Sequence, residues 1–417
     1  MFRKIKNTKL KAFVIFNLLS VVSIITISFI PTNNDYINNT TNNGYEFFGT
    51  NSLFIETDKG LKFHWITNDN AIGDYELINS DKSVILKGNT ASSRRHTAFI
   101  DHNIEENLIF RFGSLNESKY EVKLRPKLVN HNAIFKNVDS LFVVGDVHGR
   151  YDELINLLEK SNIINKELDW VGGKSNLVFL GDLFDRGNNV TKVLWFIYEL
   201  EEKAKKAGGK VHLVLGNHEI MTMTKDLRYL GKKEAAIARV YGLEYNYMYH
   251  PNKSFLGSWL SSKPSVIKID DALFAHGGII DIGINSINDF NKTVKTYIQD
   301  PIFLELMKDK IDSSKYDPQI WENMKYFFYN ENNPFWYRGY VTSDTLSKQL
   351  NAMLRKYESK THIVAHTPLK TITKKYNGKL YTTDLNEAAT QLLLLVRKKR
   401  KYSSFKIDSS GAITKLN

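Results

Sequence analysis

Hydrophobic and polar positions change their spacing twice along the chain, and the changes divide it into three segments. A mainly apolar run, interrupted by Asn17, Ser20, Ser23, Thr26 and Ser28, occupies residues 12–30. Across residues 45–130, short apolar runs alternate with Gly, Asn and Asp turns, which predicts a small β-sandwich-like accessory domain. Over residues 138–417, strand-like apolar runs are followed by stretches with helical spacing. This pattern predicts an α/β domain, with a helical insertion near residues 290–333.

The apolar run near the N-terminus follows a basic stretch, and together they predict an export signal. The basic residues are Arg3, Lys4, Lys6, Lys9 and Lys11. A basic region before an apolar one is the layout of a secretory signal, while an apolar run of ~20 residues can also span a bilayer. We therefore expect residues 1–31 to be a signal peptide or membrane anchor and residues 32–44 to be a linker. The protein is then exported, and either periplasmic or membrane-anchored.

Composition limits the chemistry that the chain can perform. Cysteine is absent, which excludes disulfides, thiolate metal ligands and a cysteine nucleophile, so any metal must be bound by nitrogen and oxygen atoms. The formal net charge is +12, but Lys and Arg crowd the two ends of the chain, as in residues 397–401. Such basic tails are typical of targeting or solvated ends, so we do not expect nucleic acid as a partner.

Five predicted strands end in short motifs that carry Asp, His or Asn. These motifs are Gly145-Asp146-Val147-His148-Gly149-Arg150, Gly181-Asp182-Leu183-Phe184-Asp185-Arg186-Gly187, Gly216-Asn217-His218-Glu219, His276-Gly277-Gly278 and His366-Thr367-Pro368. Ligands of open α/β sheets bind beyond the carboxyl ends of the strands, and divalent metals accept this mixture of oxygen and imidazole donors. Each motif alone is commonly a turn, a helix cap or a core histidine. Together, and in this order, they predict a metal site at one edge of the sheet.

The ordered motifs resemble those of the metallophosphoesterase superfamily, in particular its phosphoprotein phosphatase branch with the calcineurin-like fold. They extend from Gly145 to Pro368, over half of the chain. Two further stretches, Trp336-Tyr337-Arg338-Gly339 and Asp226-Leu227-Arg228-Tyr229, resemble the bacterial Shewanella-like phosphatases. The resemblance implies an α/β fold in which a β-sandwich core is flanked by helices and preceded by the small all-β domain.

The resemblance also implies a site for two divalent metal ions, which could be Mn, Fe or Zn. It places Asp146, His148 and His276 around one ion, Asn217 and His366 around the other, and Asp182 between the two. Two cations that share a carboxylate acidify a bridging water, and the resulting hydroxide attacks phosphorus directly.

The same resemblance implies the residues that act on the substrate. His218 is expected to protonate the leaving oxygen as the general acid, with Asp185 orienting its imidazole. Arg186 and Arg338, together with Asn217, are expected to contact the phosphate, because a planar guanidinium can bind two phosphate oxygens at once. The expected substrates are phosphate monoesters, as phosphorylated proteins (including phosphotyrosine) or as small phosphoesters. The N-terminal segment could also contact a membrane.

Other functions stay open at this stage. A dinucleoside tetraphosphate hydrolase has a similar first motif, although Glu219 and the two glycines after His276 favour the protein phosphatases. A metal-dependent nuclease usually ends in a Gly-His-x-His pattern, which His366 lacks. A surface-binding protein with a decayed phosphatase domain is a third alternative, although the predicted metal and acid positions all retain suitable residues.

Overall fold

The computed structural model describes residues 52–57, 60–101, 104–115, 119–126, 132–280, 285–386, 389–398 and 401–417. The predicted signal or anchor (1–31) and linker (32–44) lie outside these residues. Among the described helices, none combines the length and the apolar character needed to cross a bilayer. All of the described residues belong to one compact unit, and the predicted division into accessory and catalytic domains stays a prediction.

The first five strands form a single antiparallel sheet. They are β1 (Leu53–Thr57), β2 (Gly60–Ile78), β3 (Val84–Ile100), β4 (Leu108–Ser114) and β5 (Tyr120–Leu124). The 19-residue strand β2 pairs with β1, β3 and β4, and the register with β3 shifts at irregularities that bend the sheet. This segment is all-β, as predicted, but the described strands make one curved sheet instead of the two facing sheets of a sandwich.

Helices of the α/β segment cover the apolar face of this sheet. Phe54 of β1 packs with its ring centroid 6.3 Å from that of Trp195 and 5.9 Å from that of Phe255. The indole of Trp195 also donates a hydrogen bond of 2.9 Å to the carbonyl of Ser52. Large aromatic side chains contribute much of the energy of such contacts. The five-stranded sheet is therefore joined to the rest of the molecule through an aromatic core.

Two mixed six-stranded sheets make up the core of the α/β segment. Their strands are β6 (Ile134–Phe135), β7 (Ser140–Val144), β8 (Asn176–Phe179), β9 (Lys210–Leu213), β10 (Val266–Ile269), β11 (Ala272–Ala275), β12 (Thr361–Val364), β13 (Thr373–Lys375), β14 (Leu380–Thr382), β15 (Gln391–Lys398), β16 (Lys401–Asp408) and β17 (Ile413–Lys415). One sheet has the order β17-β16-β15-β7-β8-β9, and the other has the order β13-β14-β12-β11-β10-β6.

Each sheet contains three neighbouring parallel strands, β7-β8-β9 in one and β11-β12-β14 in the other. Every residue of β8, β11, β12 and β14 is buried, which is typical of strands covered on both faces. The polar motifs follow the carboxyl ends of these parallel strands. They therefore come from two sheets, whereas the sequence suggested the edge of one.

Nine α-helices lie among the described residues. They are α1 (Tyr151–Lys160), α2 (Val190–Lys206), α3 (Asn217–Met223), α4 (Lys232–Tyr241), α5 (Phe255–Ser261), α6 (Ile287–Gln299), α7 (Pro318–Tyr329), α8 (Gly339–Thr342) and α9 (Ser347–Lys356). Short 3₁₀ helices span Tyr245–Tyr249, Pro301–Glu305 and Tyr376–Gly378. Asp317 caps α7 by accepting a hydrogen bond from the Gln319 N–H, and Pro318 occupies the first turn, where no backbone donor is needed. Helices α6 and α7 fall in the region of the predicted insertion.

Candidate active site

The structure brings the six predicted metal donors together at the carboxyl ends of the two sheets. Each is buried, with an exposed fraction of 7% or less. Asp146 and His148 follow β7, Asp182 follows β8, Asn217 begins α3 after β9, His276 follows β11 and His366 follows β12. Two groups of donor atoms are close enough to hold a cation: His148, Asp182 and His218 in one, and Asp182, His276 and His366 in the other.

His148 presents an unpaired nitrogen to two carboxylates. Its Nδ1 lies 2.7 Å from the carbonyl oxygen of Phe184, which can only accept, so Nδ1 carries the proton. Its Nε2 lies 3.5 Å from Asp146 Oδ2 and 4.0 Å from Asp182 Oδ2. This Nε2 is buried without a hydrogen-bond partner among the described residues. A histidine fixed through one nitrogen with the other left free is the usual arrangement of a metal ligand.

His276 lies with Asn217 and His366, and this grouping differs from the predicted division of ligands. Its Nε2 is 2.9 Å from Asn217 Oδ1, 3.1 Å from His366 Nδ1 and 3.2 Å from Asp182 Oδ2. Its contact with Asp146 is longer, at 4.0 Å, and is made through Nδ1, which donates to the carbonyl of Leu180. The structure therefore places His276 with Asn217 and His366, and not with Asp146 and His148 as predicted, because its free Nε2 faces Asn217, His366 and Asp182.

The carboxylates and the unpaired nitrogen atom around His276 favour the binding of a cation. Burial would lower the pKa of His276, but the carboxylates of Asp182 and Asp146 raise it to about 9. Burial and the neighbouring His276 lower the pKa of His366 to about 3, and His366 Nε2 is buried without a hydrogen-bond partner among the described residues. Several acceptor atoms thus converge where a proton or a metal ion can satisfy them. The donor set of N and O atoms fits divalent metal ions.

Asp182 lies between the two donor groups. Its Oδ2 is 3.2 Å from His276 Nε2, 3.7 Å from His218 Nε2 and 4.0 Å from His148 Nε2. Burial would raise the pKa of Asp182, but His276 and His218 hold it well below its ordinary value. The carboxylate therefore stays ionised, in a position where one residue can contact two ions.

His218 and Asp185 form a buried pair beside these donors. The His218 Nδ1 lies 2.5 Å from Asp185 Oδ2. Burial would lower the pKa of His218, but Asp182 and the hydrogen bond to Asp185 raise it. The ring of Tyr229 lies beside His218, with ring centroids 5.4 Å apart. The pair therefore favours a protonated imidazole whose Nε2 can donate a proton.

The two predicted arginines lie next to this cluster and are exposed. Arg338 donates a hydrogen bond from NH1 to the carbonyl oxygen of His366. The backbone N–H of Arg186 donates to the carbonyl of Tyr229 at 3.0 Å, which joins the loop after β8 to the segment after α3. The charge of Arg186 acts on His218 and that of Arg338 acts on His366, so both guanidinium groups lie near the buried donors.

Glu219 has a role in this site that the sequence did not reveal, although it lies in a predicted motif. The fully buried carboxylate accepts hydrogen bonds from the backbone N–H groups of Asp182, Leu183 and Gly216 at 2.9, 2.8 and 2.7 Å. Gly216 is needed here because a Cβ would lie 2.3 Å from Asp182 Oδ1. The sequence signal is the position of Glu219 in the first turn of α3, where a carboxylate can cap the helix.

Asp384 is a second buried carboxyl that sequence analysis missed. It follows β14, has an exposed fraction of 2%, and lies near the acidic donors. Burial, and then the charges of Asp146 and Asp182, raise its pKa to about 9. Its signal in the sequence is weak, because β14 has only three residues. Even so, Asp384 follows the carboxyl end of its strand, as the predicted metal donors follow theirs.

Comparisons with known proteins show which family and which solved structures this chain resembles. A family model described as calcineurin-like phosphoesterase matches residues 140–381. A solved structure of the cold-active protein-tyrosine phosphatase of a psychrophilic Shewanella species matches with a TM-score of 0.66 at 25% identity, covering 88% of this chain and 98% of that chain. The comparison confirms the predicted class, in which an α/β core with helices follows an all-β segment.

Two curated relatives are similar over part of their length. Shewanella-like protein phosphatase 1 of Plasmodium berghei is 28% identical over 234 residues, which cover 54% of this chain and 60% of the relative. The symmetrical bis(5'-nucleosyl)-tetraphosphatase of Vibrio campbellii is 28% identical over 188 residues, which cover 43% of this chain and 59% of the relative. The matches thus span less than two thirds of either relative.

Proposed function

The chain belongs to the calcineurin-like phosphoesterase family, as its motifs predicted, and we propose that it is a metal-dependent phosphatase that hydrolyses phosphate monoesters of proteins. The observation that carries this proposal is the convergence of buried nitrogen and oxygen donors beside the His218–Asp185 pair. Similarity to a protein-tyrosine phosphatase makes phosphotyrosine the side chain that we propose first.

The donors divide naturally between two metal positions. Asp146 and His148 would hold one divalent cation, Asn217, His276 and His366 would hold the other, and Asp182 would contact both. When bound, such cations stabilise charge on the phosphate oxygens and lower the pKa of a water between them. Mn, Fe and Zn all accept these ligands, and availability decides among them.

His218 supplies the proton that the leaving oxygen requires. Asp185 accepts the hydrogen bond from Nδ1 and so leaves the Nε2 proton free for transfer. The charges of Asp182 and Asp185 favour the protonated form, so the imidazole enters the reaction as an acid. A positioned general acid typically contributes 10²–10⁴-fold to the rate.

The arginines hold the transferred phosphoryl group. Guanidinium groups form paired, charge-assisted hydrogen bonds with phosphate oxygens. Arg338 is fixed by its bond to the His366 carbonyl, and Arg186 follows Asp185 directly. In this proposal both arginines orient the phosphate towards the buried donors while the rest of the substrate stays outside.

Hydrolysis assays with matched variants test this proposal. The substrates are p-nitrophenyl phosphate, phosphotyrosine and phosphoserine peptides and diadenosine tetraphosphate, each with EDTA or Mn²⁺. We expect Mn²⁺-dependent hydrolysis of the monoesters and a loss of 10²–10⁴-fold in kcat for His218→Asn. The variant should still bind Mn²⁺, because the proposal assigns His218 to proton transfer and the first ion to Asp146, His148 and Asp182, although His218 also lies within reach of that position.

The same assays distinguish the second candidate function. The similarity to a bis(5'-nucleosyl)-tetraphosphatase supports a dinucleoside polyphosphate hydrolase, and hydrolysis of diadenosine tetraphosphate without monoester hydrolysis would establish it. Metal binding without turnover of any substrate would instead favour a non-catalytic binding protein.

We also propose that the enzyme is exported and acts in the periplasm or from a membrane anchor. The basic residues followed by the apolar run of residues 12–30 support this proposal. Fractionation of cells that produce the full chain, with N-terminal sequencing of the product, tests both export and cleavage. Recovery of the uncleaved chain in the cytoplasm would contradict the proposal.

A further inference from the structure

A cavity of about 610 Å³ lies between the five-stranded sheet and the α/β core. Its wall includes Leu61 of β2, the last turns of α2, the beginning of β9 and the end of α5. Pockets that bind small molecules typically measure ~300–1,000 Å³. The cavity is therefore large enough for a ligand of two or three rings.

Aromatic and aliphatic side chains form most of one wall. Phe255 and Tyr198 are buried with ring centroids 5.5 Å apart, and Trp259 packs against Tyr198 with its ring centroid at 5.8 Å. Phe135 and Ile267 add further apolar surface. Rings held rigidly in this way provide a surface on which an apolar or aromatic ligand can pack.

The cations of the cavity are not all neutralised. Lys263 pairs with Glu201 at 2.5 Å, and Arg125 lies 3.8 Å from Glu202. Lys210 is different: its ammonium lies 4.0 Å from the ring centroid of Phe135, and no carboxylate of the described residues lies within 4.0 Å of it. Burial lowers the pKa of Lys210. An anion beside this half-buried ammonium would replace the lost hydration.

We propose that this cavity binds a small organic monoanion, in which an apolar ring packs on the aromatic wall and a carboxylate pairs with Lys210. Among the described residues, three carboxylates and four cationic side chains line the cavity, the latter being Arg125, Lys205, Lys210 and Lys263. Of these cations, Lys210 is the one that we expect to pair with an anionic group of the ligand, since it lies over the Phe135 ring without a carboxylate of the described residues within 4.0 Å. The proposal is independent of the phosphatase function, because no residue of the metal cluster lines the cavity.

The cavity and the candidate active site lie at opposite ends of β9. Lys210 begins this strand, and Asn217 follows its other end. At about 3.3 Å per residue, an extended chain of this length separates the two positions by roughly 20 Å. A ligand in the cavity should thus leave the binding of substrate to the metal cluster undisturbed.

Titration of the full chain with 1-anilinonaphthalene-8-sulfonate, a ring compound with one anionic group, tests the site by fluorescence. We expect one saturable site from which 1-naphthoate displaces the dye, whereas 1-naphthylmethanol and inorganic phosphate do not. Lys210→Met should weaken dye binding about tenfold, the effect of one lost ion pair of about 1.4 kcal/mol. Lys210→Arg should retain binding, because it keeps the charge.

Lys325→Met is the matched control, because Lys325 also lies over an aromatic ring, that of Trp321 at 4.5 Å, on helix α7 outside the cavity. It should bind the dye as the wild type does, and Lys210→Met should hydrolyse p-nitrophenyl phosphate normally. The proposal is overturned if Lys210→Met binds unchanged, if both variants lose binding equally, or if phosphate displaces the dye. The proposal is also overturned if 1-naphthoate and 1-naphthylmethanol displace the dye from the wild-type protein equally well. This result does not depend on whether a variant folds.

Discussion

Glu219 gives the sharpest test of how the metal donors are positioned, because its carboxylate joins the loop after β8 to the start of α3. It accepts three backbone hydrogen bonds, two through Oε2 and one through Oε1. In Glu219→Gln, the amide oxygen can replace only one carboxylate oxygen, and the amide nitrogen must face a backbone N–H. Hydrogen bonds to charged groups contribute ~1.5–3 kcal/mol, and an unpaired buried donor costs ~1–3 kcal/mol. We expect the free energy of unfolding to fall by roughly 2–4 kcal/mol.

Urea unfolding in EDTA measures this loss without a contribution from bound metal, and calorimetric titration with Mn²⁺ measures its effect on the donors. Loss of a residue that orients ligands typically weakens metal binding by about 10–100-fold. Glu322→Gln is the control, because Glu322 is exposed on α7. If Glu219→Gln unfolds at the urea concentration of the wild type and binds Mn²⁺ equally well, Glu219 does not position the cluster and the reasoning is refuted.

Three further predictions concern other parts of the molecule. Burial raises the pKa of Glu234 from 4.5 to about 7, so its contribution to stability is present below about pH 4.5 and is lost as pH rises through about 7. Between these pH values, the free energy of unfolding of the wild type should fall by on the order of 3 kcal/mol relative to that of Glu234→Gln. If the urea midpoints of the two proteins change with pH in the same way, the raised pKa of Glu234 is contradicted. Trp195→Ala removes a ring that is 7% exposed and should cost about 3–5 kcal/mol. A loss below about 1 kcal/mol in denaturation would argue against docking of the five-stranded sheet. Mn²⁺ at a hundredfold excess over its Kd should add about 2.7 kcal/mol to the free energy of unfolding, and EDTA should reverse the gain. If the unfolding midpoint is the same with and without Mn²⁺, the proposed metal site is contradicted.

The donor residues can be read from the sequence because each lies within a few residues of a buried apolar run. Asp182, for example, follows the run that becomes β8, and His276 follows the run that becomes β11. Their approximate meeting place follows from the parallel direction of the strands. Which donors share an ion does not follow, because that depends on how two sheets are placed. His276 therefore appeared beside Asp146 in the sequence interpretation but lies with Asn217 and His366 in the structure.

Long-range pairing explains the remaining differences. The accessory segment has the apolar alternation of a sandwich, but its face is covered by Trp195 and Phe255, which lie far along the chain. The local sequence pattern of the segment cannot predict that residues so distant in the chain cover its sheet. Asp384 was missed for a related reason, since its strand is too short to give a periodic signal and its neighbour Asp146 is 238 positions away in the numbering.

Several residues of the candidate site have a strained backbone conformation, which requires stabilising contacts from buried neighbours. Five non-glycine residues there have positive φ: His148 (49°), Asp182 (51°), Asp185 (68°), Arg186 (60°) and His366 (64°). Each left-handed residue costs of order 1–3 kcal/mol and persists only where neighbouring contacts enforce it. At Asp182 the enforcing contact is Glu219, which accepts its N–H, while the Asp182 carbonyl accepts the N–H of His148 at 2.9 Å. One buried carboxylate thus supports two strained donors from different strands. For this reason, its loss should weaken metal binding even though its own oxygens accept backbone N–H groups and would not be ligands.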